Sequence, residues 1–305
     1  MLTRTHTATR GCRICSGTVS NSVTARVEGA DPDPLAALGR RAAAAGMGTA
    51  SPYEVLCQGS NARLILAGHS HLVAIAGSHI YSLPLGVISG PRGDGTFIMA
   101  GSPQPRDMTY WDTLADLATD ADVGIMWHGN EHNILYFFET ETPFDFLSAH
   151  VRKMKPSAQI MSKAAIRHSF QQLSFDELDL VVDRLATGGV NRIALIGTPP
   201  PKGDNEALRA LIQTEVWFVQ RAAQLGQSLE TIRITDPFVR LKLWYLLQDM
   251  QAEEARTRGL MFIPVPKEVQ DADGFLKREF WVSDVTHANE AYGNVIYETV
   301  VRAFE

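Results

Sequence analysis

Three short stretches carry residue types that can do chemistry together. In the first, Leu64 to Gly68 is an apolar or small run that leads into His69-Ser70-His71, with Leu72 and Ile75 reading as the start of a helix. A buried strand, a tight glycine turn and a helix expose a serine hydroxyl at the carboxyl end of a sheet, near helix N–H groups that favour negative charge. A serine at its own pKa is a poor nucleophile and needs an adjacent, oriented base. The second stretch, Trp281 to Gly293, offers one: Asp284 and His287 stand three apart before the last helix, so one local turn can present both. The carboxylate would hold one imidazole nitrogen while the other faces the hydroxyl. A plainer arrangement suits the same residues, with Asp284 capping the helix and His287 on the surface. The third stretch, His128-Gly-Asn130-Glu131-His132, follows a strand and brings a side-chain amide at Asn130. Acyl transfer builds charge on a carbonyl oxygen, which that amide, the Ser70 N–H and a backbone N–H at Gly101 would stabilise. A Gly-Asn pair is equally at home in an ordinary turn.

These residues need elements to hold them. Beyond the first strand, Thr96–Gly101, Val123–Trp127, Arg192–Gly197 and Leu260–Val265 read as buried strands. Helical spacing marks 109–121, 205–225, 236–259 and 289–304, and residues 143–189 read as mainly helical, with Ser174 and Glu177 spaced as a capping box. Strands separated by helices imply a three-layer α/β/α domain around a parallel sheet of about five strands. Sites in such sheets form at the carboxyl ends of strands, where Ser70, Asn130 and the Thr198 loop all fall.

The totals bound the function. The chain has 305 residues, 45% hydrophobic and 20% charged, and a net charge of -6 that gives no reason to expect nucleic acid or an anionic membrane as partner. No apolar run approaches the ~20 residues that span a bilayer. Three cysteines do not make a secreted disulfide framework, so a reducing, cytoplasmic compartment is expected. Residues 1–60 differ from the rest: Arg4, Arg10, Arg13 and Arg26 occur with no acidic residue before Glu28. They read as a poorly ordered extension, with Met47 as an alternative start. Cys12-Arg-Ile-Cys15 lacks the second ligand pair that a structural zinc needs.

From Asn61 to Glu305 the chain resembles the SGNH (GDSL-like) hydrolase superfamily, through Gly68-His-Ser70, Gly129-Asn-Glu131 and Asp284-Val-Thr-His287 in order. The D-x-x-H before a C-terminal helix is the most specific of the three. The resemblance implies a flavodoxin-like fold, with Ser70 as nucleophile, His287 as general base and Asp284 as its orienter. It also implies an oxyanion hole made by the Ser70 amide, Asn130 and a glycine of a second block, taken as Gly101, with Gly90, Gly93 and Gly95 as alternatives. The family pattern is departed from at His69 (usually Asp), His128 (usually Gly) and Glu131 (usually Asp). The implied activity is serine esterase or acyl-transfer chemistry on a small-molecule acyl ester, without metal or organic cofactor. Acetylated sugars, lipids, thioesters and aryl esters all lie within the family's range, and the oligomeric state is open. An α/β-hydrolase fits less well, because Leu72 stands where G-x-S-x-G needs its second glycine.

Several residues have two readings. His69, His71 and His132 would line the cleft and tune its polarity. Arg152, Lys153, Lys155, Lys163 and Arg167 would favour an anionic substrate if 143–189 covers the site, or be solvated helix charges. Trp111, Trp127 and Trp281 are sugar platforms or core. Two other function classes compete. Gly68-His-Ser-His71 and Gly129-Asn-Glu-His132 resemble pieces of calcineurin-like metallophosphoesterases, but in reversed order and without a D-x-H. The third class is a binding protein that keeps the fold without the chemistry.

Overall fold

The computed structural model describes residues 61–76, 81–83, 87–92, 94–101, 103 and 106–305. The expected N-terminal extension, Cys12, Cys15, Met47 and Gly93 lie outside the described residues. Strands β1 (Leu64–Gly68), β4 (Thr96–Ala100), β5 (Asp122–Met126), β8 (Arg192–Ile196) and β9 (Met261–Ile263) pair in parallel, in the order β4-β1-β5-β8-β9. The expected parallel sheet is therefore present, with β1 inside it between β4 and β5. An edge missing from the sequence reading extends it: β3 (Val87–Pro91) pairs antiparallel with β4, and β2 (Tyr81–Leu83) with β3.

Alternation along β1 builds two cores. Ile65 and Ala67 pack on one face with Tyr110, Trp111 and Leu114 of α2 (Met108–Leu117) and with Leu178, Val181 and Leu185 of α5 (Leu178–Thr187). Leu64 and Leu66 pack on the other with Ile75 of α1 (Val73–Ala76) and Tyr292, Ile296 and Val300 of α9 (Glu290–Phe304). Sheet and two helical layers follow from that period of two. Each such side chain, fully buried, contributes roughly 1.5–3 kcal/mol.

Helix α9 carries its apolar residues at helical spacing and starts where Asn289 Oδ1 accepts the Tyr292 N–H at 3.2 Å. It lies so close to α1 that a Cβ on Gly293 would stand 1.9 Å from the Ala74 carbonyl oxygen. The long helix α8 (Pro237–Thr257) is capped by Asp236, which accepts from Phe238 N at 2.9 Å, and has Pro237 in its first turn.

Two expected helical stretches differ. Residues 143–162 are not helical; Phe144–Asp145 (β6) pairs with Gln159–Ile160 (β7). Asp145 is the cause: Oδ1 accepts the Phe146 N–H and Oδ2 the Lys155 N–H, both at 2.7 Å, and such local bonds compete with a helix. Helix begins only at α4 (Lys163–Phe170), followed by one π turn at Gln171–Phe175. There the Ser174 carbonyl accepts the Trp127 indole N–H at 2.7 Å, and Glu177 itself caps α5 without a side-chain bond, so Ser174 and Glu177 form no capping box. The stretch 205–225 is two helices, α6 (Asn205–Ile212) and α7 (Val216–Gln224), broken where Thr214 N and Oγ1 both donate to the Leu211 carbonyl. That break turns Glu215 toward the loop before α9.

Candidate active site

Ser70 leaves the sheet at a point only glycine can make. Gly68 has φ +118°, and a Cβ there would stand 2.3 Å from the Met126 carbonyl oxygen. Its N–H donates to the Tyr110 hydroxyl at 2.8 Å, and that hydroxyl donates to the Met99 carbonyl. Burial raises the Tyr110 pKa, which keeps this bridge protonated. The His69 N–H then donates to Met126 O at 3.1 Å, and Ser70 opens a single 3-10 turn, Ser70–Leu72. The first N–H groups of a turn have no partner inside it, and among the described residues the Ser70 amide at the sheet's carboxyl edge has none elsewhere.

His287 meets that serine from a position 217 residues away in sequence, with Nε2 at 2.8 Å from Ser70 Oγ. Asp284 holds the other side of the ring: its Oδ2 lies 2.9 Å from His287 Nδ1. Its Oδ1 accepts the Thr286 and His287 backbone N–H groups at 2.9 and 2.7 Å. One carboxylate thus shapes the turn and holds the ring, whereas the cap of the helix that follows is Asn289 and not Asp284. A proton on Nδ1, donated to Asp284, leaves the Nε2 lone pair facing the hydroxyl. Burial alone would raise the Asp284 pKa, but the bond to His287, the imidazole charge and Lys202 outweigh it and hold the carboxyl well below its ordinary range. Lys202 is almost fully buried; it donates to the Val282 carbonyl at 3.0 Å and to the Asp284 carbonyl. Glu215 Oε1 accepts the Val285 N–H at 2.7 Å. Burial, then the Asp284 charge, pushes the Glu215 carboxyl up to about 7.

The third stretch follows β5 by a strained turn. Gly129 has φ +111° and a Cβ there would stand 2.2 Å from Thr198 Cγ2, while His128 takes φ +45°. Glu131, fully buried at the start of α3 (Glu131–Tyr136), accepts the Gly129 N–H at 2.8 Å and lies 3.1 Å from His128 Nδ1. Burial would raise its pKa, yet the His128 bond and charge hold it low. Asn130 is thereby fixed at the helix start, where it lines the cleft and its Oδ1 accepts Asn133 Nδ2 at 2.7 Å. His71, Asn130, His132, Asn133, Lys202 and Thr286 share that narrow polar cleft.

The structure brings Ser70, His287 and Asp284 together and places Asn130 on the same edge, but it does not bring Gly101. Its N–H donates to Gly68 O at 2.8 Å, continuing the β1–β4 ladder one residue past the strand. The alternatives fare no better: Gly90 pairs within β3 opposite Ile98, and Gly95 precedes β4 at the sheet's other edge. Among the three histidines, His71 and His132 line the cleft, whereas His69 packs its ring 4.7 Å from that of His128. Burial lowers the pKa of His69 and His132 to about 4 and holds that of His71 well below the ordinary imidazole value, so all three are neutral at pH 7. Among the described residues, buried nitrogens of each lack a partner, and no three His, Cys, Asp or Glu side chains converge to hold an ion.

Two other sets of residues had a functional and a plainer reading. Lys155 pairs with Glu139, Arg167 bonds Glu253 at 2.7 Å, and Lys153 lies over the Phe238 ring, so these three cations tie the 143–189 segment to its neighbours. Trp111 and Trp127 are core, while Trp281 donates to Leu276 O and carries Arg278 on its face. Lys202, Arg240 and Glu215 were missed. Lys202 and Arg240 follow or face the Thr198-Pro-Pro-Pro201 loop, whose position at a strand end was the one available signal.

No family model and no curated protein matches the chain. Among solved structures it is similar to an extracellular lipase from Streptomyces rimosus, at TM-score 0.44 and 14% identity over 79% of this chain and 99% of that one. It is also similar to a GDSL-like lipase from Bacteroides thetaiotaomicron, at TM-score 0.41 and 9% identity over 88% and 96%. A carbohydrate acetylesterase from Sinorhizobium meliloti follows, at TM-score 0.38 and 15% identity over 80% and 100%. At such identities and scores no residue role is carried across.

Proposed function

We propose that this chain is a serine hydrolase of the SGNH type that cleaves carboxylic esters through an acyl-enzyme. The observation that carries the reading is the unbroken chain Asp284 Oδ2–His287–Ser70 Oγ, with contacts of 2.9 and 2.8 Å. Ser70 Oγ attacks the ester carbonyl while His287 Nε2 takes its proton, and the imidazolium so formed is stabilised by Asp284. The tetrahedral oxygen accepts from the Ser70 N–H and the Asn130 amide. His287 then gives the proton to the leaving alcohol, and water, activated the same way, releases the acid.

Glu131 acts on this chemistry at one remove, by fixing the Gly129 N–H and hence the angle at which Asn130 is presented. Labelling with a fluorophosphonate, followed by peptide mass spectrometry, tests the reading. An adduct on Ser70 that is absent in His287→Ala is expected. A folded protein that takes no adduct and turns over no aryl acetate removes the reading and leaves the binding-protein alternative.

A further inference from the structure

A buried lysine stands behind the Asp284–His287 pair. Lys202 follows Thr198-Pro-Pro-Pro201, a loop beyond the carboxyl end of β8 whose three prolines hold φ near one value and offer no N–H. The backbone there is gripped from two sides. The Lys202 carbonyl accepts Arg240 Nη2 of α8 at 2.9 Å, and the Pro201 carbonyl accepts the Leu276 N–H at 3.1 Å. Arg240 is itself fully buried and donates to Asn205 Oδ1 at 2.6 Å. From this fixed origin the Lys202 side chain, 1% exposed, enters the loop before α9. Its Nζ donates to the Val282 carbonyl at 3.0 Å and to the Asp284 carbonyl, and stands 3.7 Å from Asp284 Oδ1. The Trp281 ring lies beside it, with its centre 5.4 Å away.

A buried ammonium carries a heavy desolvation cost, so a loop that needed only filling is better served by an apolar stem. Here every donor contact goes to the carbonyls of the catalytic-acid turn. From another side Glu215 Oε1 accepts the Val285 N–H at 2.7 Å, so Val282, Asp284 and Val285 are each held from outside the loop. We propose that Lys202 is the positioning residue of the Asp284–His287 pair: by clamping the turn it fixes the direction from which Asp284 holds the ring, and hence where Nε2 meets Ser70 Oγ. The inference rests on the proposed Ser70 chemistry and adds to it a residue that lies in none of the three sequence stretches. Burial alone would protonate Asp284; after the His287 bond and charge, the Lys202 ammonium holds it ionised. Placement of this kind weighs heavily on rate, since a displacement of about 1 Å can cost on the order of 10²-fold.

The experiment compares the wild type with Lys202→Met, which keeps the stem and removes the donors. It measures p-nitrophenyl acetate turnover, checks the fold by circular dichroism, and records the downfield NMR resonance of the His287 Nδ1 proton shared with Asp284. The variant is expected to lose on the order of 10²-fold in kcat with KM nearly unchanged, and to shift or broaden that resonance. A folded variant with wild-type kcat overturns the proposal, as does a slower one whose resonance is unchanged, because the pair is then still in place. A raised KM at unchanged kcat also overturns it and makes Lys202, which lines the polar cleft, a substrate contact. If Lys202→Met does not fold, Lys202→Gln is read in the same way; if neither folds, Lys202 holds the fold rather than the base and the proposal falls. A wild type that turns over no ester removes the Ser70 reading, and the resonance then decides alone. A change in the variant keeps the clamp on the pair, and an unchanged resonance sinks that as well.

Discussion

The molecule holds two carboxylate–base pairs of opposite character. Asp145 and Lys242 meet at 2.8 Å with both side chains 0% exposed, and Asp145 spends its remaining capacity on the Phe146 and Lys155 amides. Asp284 and His287 meet at 2.9 Å with side chains 30% and 20% exposed, and the histidine has a second nitrogen left over for Ser70. The first pair is closed: every polar atom is turned inward, and its work is to tie the β6–β7 segment to α8. The second is open on one side, where a proton can enter and leave. Burial suits a pair that must never change state, whereas partial exposure suits one that must.

If that contrast is right, substitutions at the open pair cost rate and those at the closed pair cost stability. Ser70→Ala or His287→Ala should lower ester turnover by on the order of 10⁶, with little change in Tm. Asp284→Asn should cost about 10⁴ in kcat, because the imidazole loses the partner that sets its tautomer. It should also remove a stabilisation that the wild type shows above the ordinary Asp pKa of 3.8 and loses as the pH falls below it. Asp145→Ala should do the reverse, lowering unfolding free energy by about 3–5 kcal/mol in urea titrations while the folded fraction keeps its kcat. Asp145→Leu with Lys242→Met should recover most of that loss, since a buried pair replaced by apolar groups is near neutral.

The smallest effect belongs to Glu215, which lies between the two types. Its folded carboxyl keeps the proton up to about pH 7, whereas an unfolded one releases it near 4.5, so the folded state loses stability as the pH rises through that window. Glu215→Gln should flatten this part of the Tm–pH curve and gain on the order of 1 kcal/mol at pH 8, a figure discounted for solvent screening. A curve that keeps its slope would show that Glu215 does not titrate there.

What could be read from the sequence was what is local. The run Leu64–Gly68, the turn after it and the D-x-x-H spacing each depend on neighbours within a few residues, and their backbone forms are found where expected. Gly101 was misjudged because the ladder runs one residue past the apolar segment, which only the partner strand's Gly68 carbonyl decides. The segment 143–162 carries apolar residues at plausible helical spacing, yet a single buried Asp145 reorganises it. Glu215 had no sequence signal, since its partner Val285 lies 70 residues further on.

The close approach of Gly293 to Ala74 has a consequence for how the protein is made. The helix that follows His287 seats directly on the turn that follows Ser70, so the serine meets its base only once α9 has docked. At 5–20 residues per second, a ribosome needs roughly 10–40 s to add the 217 residues between them. Throughout that interval the nascent serine is an ordinary alcohol, so on the proposed chemistry the growing chain would neither acylate itself nor attack esters around it.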